Sequence, residues 1–152
     1  ENIVKGVLAG YPMVGLHAKL YDGSYHPVDS SEMAFKTAAR IAYKKGCMEA
    51  GPTLLEPVMH VEIVVPDEYM GDVMGDMNKR RGRIMGMNKV EDGQQLVAEA
   101  PMSELFKYAT DLRSMTQARG SFTTAFERYE EVPANVAQKI IESAKKDEDE
   151  EE

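Results

Sequence analysis

The spacing of apolar residues changes several times along the chain, and each change marks an element. In MVGLHAKLY, residues 13–21, Val14, Leu16, Ala18 and Leu20 share one side and Gly15, His17, Lys19 and Tyr21 the other. That period of two predicts a half-buried strand. Before it, Ile3, Val4, Val7 and Leu8 lie on one helical face and Gly10 supplies a stop, which predicts the end of a helix. After it comes the loop DGSYHPV. Asp29 is the expected N-cap of the next helix, with Glu32 three residues on completing a capping-box pattern. Ala34, Phe35, Ala38, Ile41 and Ala42 then form one apolar stripe, while Lys36, Arg40 and Lys44 line another face. Gly46 or Gly51 is the expected end, with Pro52 beyond it.

A second unit follows a short connector, PTLLEPVM, where a domain boundary is expected. VMHVEIVVP alternates Met59, Val61, Ile63 and Val65 on one side. A helix is predicted from about Asp67, with Met70, Val73, Met74 and Met77 inward and Gly82 as its end. RIMGMNKV and QQLVAEA read as two strands joined by the turn signal EDG. A helix from Ser103 carries Leu105, Ala109 and Leu112 on its inner face, and SFTTAFERY is the last strand. The order β-α-β-β-α-β is the split-βαβ, ferredoxin-like arrangement. Pro133 opens one more helix with Val136, Ile140 and Ala144 on one side. The fold class expected for the whole chain is therefore α+β.

Charge alters this picture at one end only. Of the net charge of −8 carried by the 152 residues, six negative charges lie in the terminal run DEDEEE, residues 147–152, expected to be a disordered acidic tail. The body is near neutral and can hold local basic patches. No run approaches the ~20 apolar residues of a membrane span. The start, ENIVKGVLAG, has neither an initiator Met nor a signal-peptide pattern, which suggests a fragment or processed chain. A single cysteine, Cys47, excludes an internal disulfide and fits a reducing, cytoplasmic setting.

Motifs for catalysis are scarce. GDVMGDMNK has spaced glycines but lacks the Lys-Ser/Thr ending of a phosphate-cradling loop, and it falls inside a helical pattern. His17, His26, His60 and Cys47 lie on four different elements, without metal-ligand spacing. Asp72 and Asp76 share a helix face and read as solvated carboxylates. The methionines at 70–77 and 85–87 read as adaptable core filler.

Two places carry more. Lys79, Arg80, Arg81 and Arg83 put four cations within five positions at a helix end, where favourable interaction with the helix dipole gives at most ~1 kcal/mol when exposed. Arg113 and Arg119 end the second helix of the repeat. Two readings stand for these six residues, helix-end stabilisation and a phosphate-contacting surface. The other place is Ser24, Tyr25, His26 and Pro27, two rings on a stiffened turn. With Asp29 expected to cap the helix, His26 has no catalytic partner nearby. The loop is either a plain surface turn or a tip that stacks on and hydrogen-bonds RNA.

The segments GVLAGYP, LYDGSYHPVDSSEMAFKTAA, LLEPVMHVEI, GDVMGDMNKRRGRIMG, APMSELFKYATDLRSMTQARGSFT and VPANVAQKII closely resemble the C-terminal part of bacterial elongation factor G. The likeness is collinear from Gly6 to about Ile141. It implies that residues 1–54 are the later half of domain IV, a partial ribosomal-protein-S5-like α/β domain, and that 57–146 are the ferredoxin-like domain V with its C-terminal helix. It also implies that His26 is the tip histidine of domain IV, which reaches the decoding centre, and that domain V lies near the GTPase-associated region of the large-subunit rRNA. The implied partner is the ribosome: rRNA of both subunits, ribosomal proteins and the tRNA–mRNA pair. No membrane partner is implied.

The sequence departs from the family at Pro27, where the family usually has Asp. The resemblance implies a parent that binds GTP and Mg²⁺ and hydrolyses GTP, whereas this chain carries no cofactor motif and is expected to have no enzymatic activity. Its incomplete first domain is expected to be monomeric in solution and able to associate with a neighbouring copy in a crystal. A specialised paralogue or a tetracycline ribosome protection protein shares the implied domain order. A stand-alone ferredoxin-like binding or regulatory module is the alternative from another class.

Overall fold

The computed structural model describes residues 2–150 and divides into two compact units. One runs to Leu54 and resumes at Val132; the other is Leu55–Glu131. Among the described residues the helices are α1 (Glu32–Glu49), α2 (Met70–Lys79), α3 (Tyr108–Met115) and α4 (Ala134–Glu150). The strands are β1 (Leu55–Val65), β2 (Arg83–Val90), β3 (Gly93–Pro101) and β4 (Ser121–Glu131), so the chain is α+β.

In the Leu55–Glu131 unit the four strands form one antiparallel sheet in the order β2-β3-β1-β4. This is the predicted β-α-β-β-α-β order. Val61, Ile63 and Val65 of β1 and Leu96, Ala98 and Ala100 of β3 face Met70, Val73 and Met77 of α2 and Tyr108 and Leu112 of α3. The period of two on the strands and the 3–4 spacing on the helices thus meet in one core. Full burial of each large side chain contributes ~1.5–3 kcal/mol. The β2–β3 turn closes at Gly93, whose φ is +136 and where a Cβ would lie 2.3 Å from the Val65 carbonyl oxygen.

Helix α2 ends differently from expectation. The left-handed residue is Arg81, φ +57, and Gly82 is needed for space: its amide donates to the Met77 carbonyl at 2.9 Å, and a Cβ there would meet Met77 Sδ at 2.5 Å. The predicted helix from Ser103 is split into a 3-10 turn, Met102–Leu105, and α3.

The other unit departs further from the period-two reading. Residues 13–21 form no strand, and Val14 and Leu20 are exposed. A strand needs a neighbouring backbone to take its amides and carbonyls, and no described segment pairs with this one. The predicted N-terminal helix is reduced to a 3-10 turn at Asn2–Val4, followed by a loop in which Gly6 donates to Tyr11 O and Met13 to Ile3 O. One or two turns cannot repay the cost of helix nucleation without packing. Helix α1 forms through Gly46, but its cap is Ser31, whose hydroxyl accepts from the Ala34 amide at 3.1 Å; Asp29 is not the cap. The apolar stripe of α1 is not covered among the described residues: Phe35 is 51% and Ile41 63% exposed.

Helix α4 follows Pro133, which accepts from the Val136 and Ala137 amides, and the Val132 amide donates to Leu54 O. It continues to Glu150, so most of the expected disordered tail is helical. No Gly or Pro interrupts 134–150 and Glu is a good helix former, which together outweigh the clustered charge. Residues 151–152 lie outside the described residues. No helix among the described residues is long and apolar enough to cross a membrane.

Candidate nucleic-acid interface

The loop 22–31 is built from the inside by its own polar groups. The His26 amide donates to Ser30 Oγ at 2.7 Å, and the Ser30 amide donates back to the His26 carbonyl at 3.0 Å. This reciprocal clasp closes a turn over Pro27, Val28 and Asp29. Inside it, His26 Nδ1 accepts from the Val28 amide at 3.3 Å and the Asp29 amide at 3.4 Å. Asp29 Oδ2 lies 3.2 Å from the same nitrogen. His26 therefore has a local carboxylate neighbour, contrary to the expectation that Asp29 is taken up as a cap. The cap is Ser31, which leaves Asp29 free to turn back on the ring.

The side chains stand outward. The His26 side chain is 63% exposed and Tyr25 71%, with Ser24 and Pro27 exposed beside them. Among the described residues the His26–Asp29 pair has no third group to make a triad. Two rings on a fixed, solvent-facing turn can stack on bases and exchange hydrogen bonds.

The six cations of the other unit do not form one surface. Arg80 reaches from the end of α2 to the start of α3: Nε donates to Asp76 at 2.6 Å, Nη1 to the Glu104 carbonyl at 2.7 Å, and Nη2 to Asp111 at 2.5 Å. Its guanidinium also lies 5.0 Å from the Tyr108 ring centre. Arg81 forks onto Glu56 at 2.8 and 2.9 Å and touches Glu104 at 3.3 Å. The left-handed backbone at Arg81 accompanies this paired, half-buried placement. Arg119 lies at the opposite end of the helices, paired with Glu68 and Tyr69 before α2. The antiparallel course of α2 and α3 separates the two clusters that the repeat suggested were equivalent.

Arg83 points to the face of the sheet opposite the helix-covered core, 3.3 Å from Glu99 and 3.4 Å from Glu130. There Arg128 forks onto Glu99 at 3.0 and 2.8 Å. Hydrogen bonds from Arg128, outweighing burial, hold the Glu99 carboxyl below the usual carboxylate range. His60 Nε2 sits 3.2 Å from Glu62, which accepts from Gln95 at 3.0 Å, so His60 belongs to this polar face. Lys79 and Arg113 are exposed and no ion pair holds them among the described residues. They are the two cations of the six that remain open to a phosphate.

GDVMGDMNK lies in α2, so its glycines are helical and form no phosphate cradle. Among the described residues no three His, Cys, Asp or Glu side chains gather as a metal site. Cys47 is 5% exposed, as expected of a packing residue. Asp76, one of the two carboxylates sharing a face of α2, is bound by Arg80. Sequence reasoning missed Ser30, Ser31, Glu56, Glu99 and Arg128. Only Ser31 left a local signal, as a second capping residue immediately before Glu32.

Comparison with known proteins places both units. The family model described as Elongation factor G, domain IV matches residues 1–51, and that described as Elongation factor G C-terminus matches residues 53–140. A crystal structure of a protein from Thermus thermophilus superposes with a TM-score of 0.78 at 43% sequence identity. The match covers 95% of this chain and 22% of that one, so the chain spans about a fifth of its structural relative. With the two matches in the order of domain IV and C-terminus, the chain belongs to the elongation factor G family as part of its C-terminal region.

Proposed function

We propose that the chain is the ribosome-contacting arm of an elongation factor G-like translational GTPase that promotes tRNA–mRNA translocation in the cytoplasm. The consecutive domain IV and C-terminus matches carry this reading. The arm acts sterically. Ser24, Tyr25, His26 and Pro27 meet the tRNA–mRNA duplex or decoding-centre rRNA, and the second unit meets large-subunit rRNA and ribosomal proteins through cations led by Lys79 and Arg113. GTP and Mg²⁺ belong to the parent. The glycines of α2 are helical and form no cradle for a triphosphate.

The test is His26→Ala in the full-length parent, with pre-steady-state translocation measured beside GTP turnover on the same ribosomes. Loss of one stacking or hydrogen-bonding contact of ~1–3 kcal/mol slows translocation by about five-fold to 150-fold and leaves GTP turnover nearly intact. An unchanged translocation rate, or equal loss of both activities, contradicts the reading. A parent that releases tetracycline from ribosomes but does not support translocation is instead a ribosome protection protein.

A further inference from the structure

We infer that Ser30 is a positioning residue that fixes His26 with hydrogen on Nε2, so that the tip presents a donor and recognises an acceptor oxygen on RNA. The inference rests on the proposed RNA contact and adds its polarity. It begins with the clasp. Ser30 is half-buried on an otherwise exposed loop, and its hydroxyl accepts from the His26 amide at 2.7 Å while its own amide returns to the His26 carbonyl at 3.0 Å. These bonds set the backbone on both sides of the ring. They also aim the Val28 and Asp29 amides at Nδ1, at 3.3 and 3.4 Å.

A backbone amide can only donate, so a nitrogen facing two of them is an acceptor. A hydrogen on Nδ1 would oppose both amides. The neutral ring therefore carries its hydrogen on Nε2. Asp29 Oδ2 also lies 3.2 Å from Nδ1, and a doubly protonated ring would keep Nε2–H as well. A contact to so exposed a carboxylate, 82% exposed, contributes little, so the two amides aimed by the clasp set the neutral tautomer. In both charge states Nε2–H faces outward on a side chain that is 63% exposed. Phosphate oxygens and base or ribose oxygens are the acceptors RNA offers.

Three measurements test this. Long-range proton–nitrogen NMR of the chain reports the His26 tautomer directly; Nε2–H is expected, and a dominant Nδ1–H form overturns the inference. In the full-length parent, His26→Gln keeps an amide donor near the place of Nε2, whereas His26→Asn places one near Nδ1. Gln is expected within about three-fold of the wild-type translocation rate and Asn about ten-fold below it, the second corresponding to ~1.4 kcal/mol. Equal rates for Gln and Asn overturn the inference.

Ser30→Ala is expected to slow translocation about five-fold and mix the tautomers, with Ser30→Thr restoring both. An unaltered tautomer in Ser30→Ala overturns the positioning role. Single methylphosphonate linkages in the RNA facing the tip separate the oxygens: the wild-type advantage over His26→Ala falls at one linkage for a phosphate partner and stays level for a base or ribose oxygen. If His26→Ala translocates normally, the RNA-contact reading falls, while NMR on the chain alone still decides the tautomer.

Discussion

The two units use similar helical stripes to different effect. In the Leu55–Glu131 unit, Met70, Val73 and Met77 of α2 meet a sheet and are at most 6% exposed. In the other unit, Phe35 and Ile41 of α1 hold the same kind of spacing and remain more than half exposed. Periodicity therefore specifies a face but not its burial. Burial also requires an opposing surface, which β1 and β3 provide in one unit and no described segment provides for the α1 stripe.

The contrast predicts unequal costs for similar substitutions. Ile63→Ala, at a fully buried position, should destabilise the sheet unit by ~2–4 kcal/mol, seen as a lower urea midpoint and faster amide exchange in β1 and β3. Ile41→Ala, at 63% exposure, should change stability by no more than ~0.5 kcal/mol. Equal losses would mean that the α1 stripe is packed after all.

Arg80 offers the next largest effect. Its side chain is only 14% exposed and holds two carboxylates and a carbonyl. Arg80→Met should cost ~2 kcal/mol, because it leaves those partners half-buried and unpaired. Arg113→Met, at an exposed position, should leave stability nearly unchanged and lower only ribosome affinity. Reversal of that order would make Arg80 the surface cation and Arg113 the structural one.

Acid should act on the same unit. The Glu99 carboxyl is depressed in the folded state, first by hydrogen bonds from Arg128. Its contribution is full above the ordinary glutamate range and is lost as pH falls through that range towards the lower folded value. Arg128→Met should flatten this acid limb of the stability curve in thermal melts taken from neutral pH downward.

The helix cap offers a smaller effect than Ile63 or Arg80. Ser31→Ala should lower the stability of α1 by ~1 kcal/mol, read by amide exchange in its first turn, while Asp29→Ala should leave that turn protected. The opposite ranking would restore Asp29 as the cap and remove it from His26.

The same contrast explains what the sequence could disclose. The ferredoxin-like order was legible because each strand and helix in that unit finds its partner within the unit. Residues 13–21 misled because alternation records a half-buried strand without supplying its neighbour. Helix α4 runs into the acidic run as far as Glu150 because no Gly or Pro interrupts residues 134–150. At the tip, Tyr25, His26 and Pro27 stood out as unusual types, but the Ser30 clasp depends on backbone direction. Arg80 and Arg81 stood out by density, yet their partners Glu56, Glu104 and Asp111 are distant in sequence, and only the packed helices bring them together.

The central claim is that the 24–27 loop reaches the small-subunit decoding region. Directed hydroxyl-radical probing tests it most directly, because buried Cys47 can be replaced and a tethered iron chelate placed on Tyr25→Cys in the full-length parent. Cleavage clustered in decoding-region rRNA of factor-bound ribosomes is the predicted result. Cleavage confined to large-subunit rRNA, or none above a chelate-free control on ribosomes that carry the factor, would contradict it.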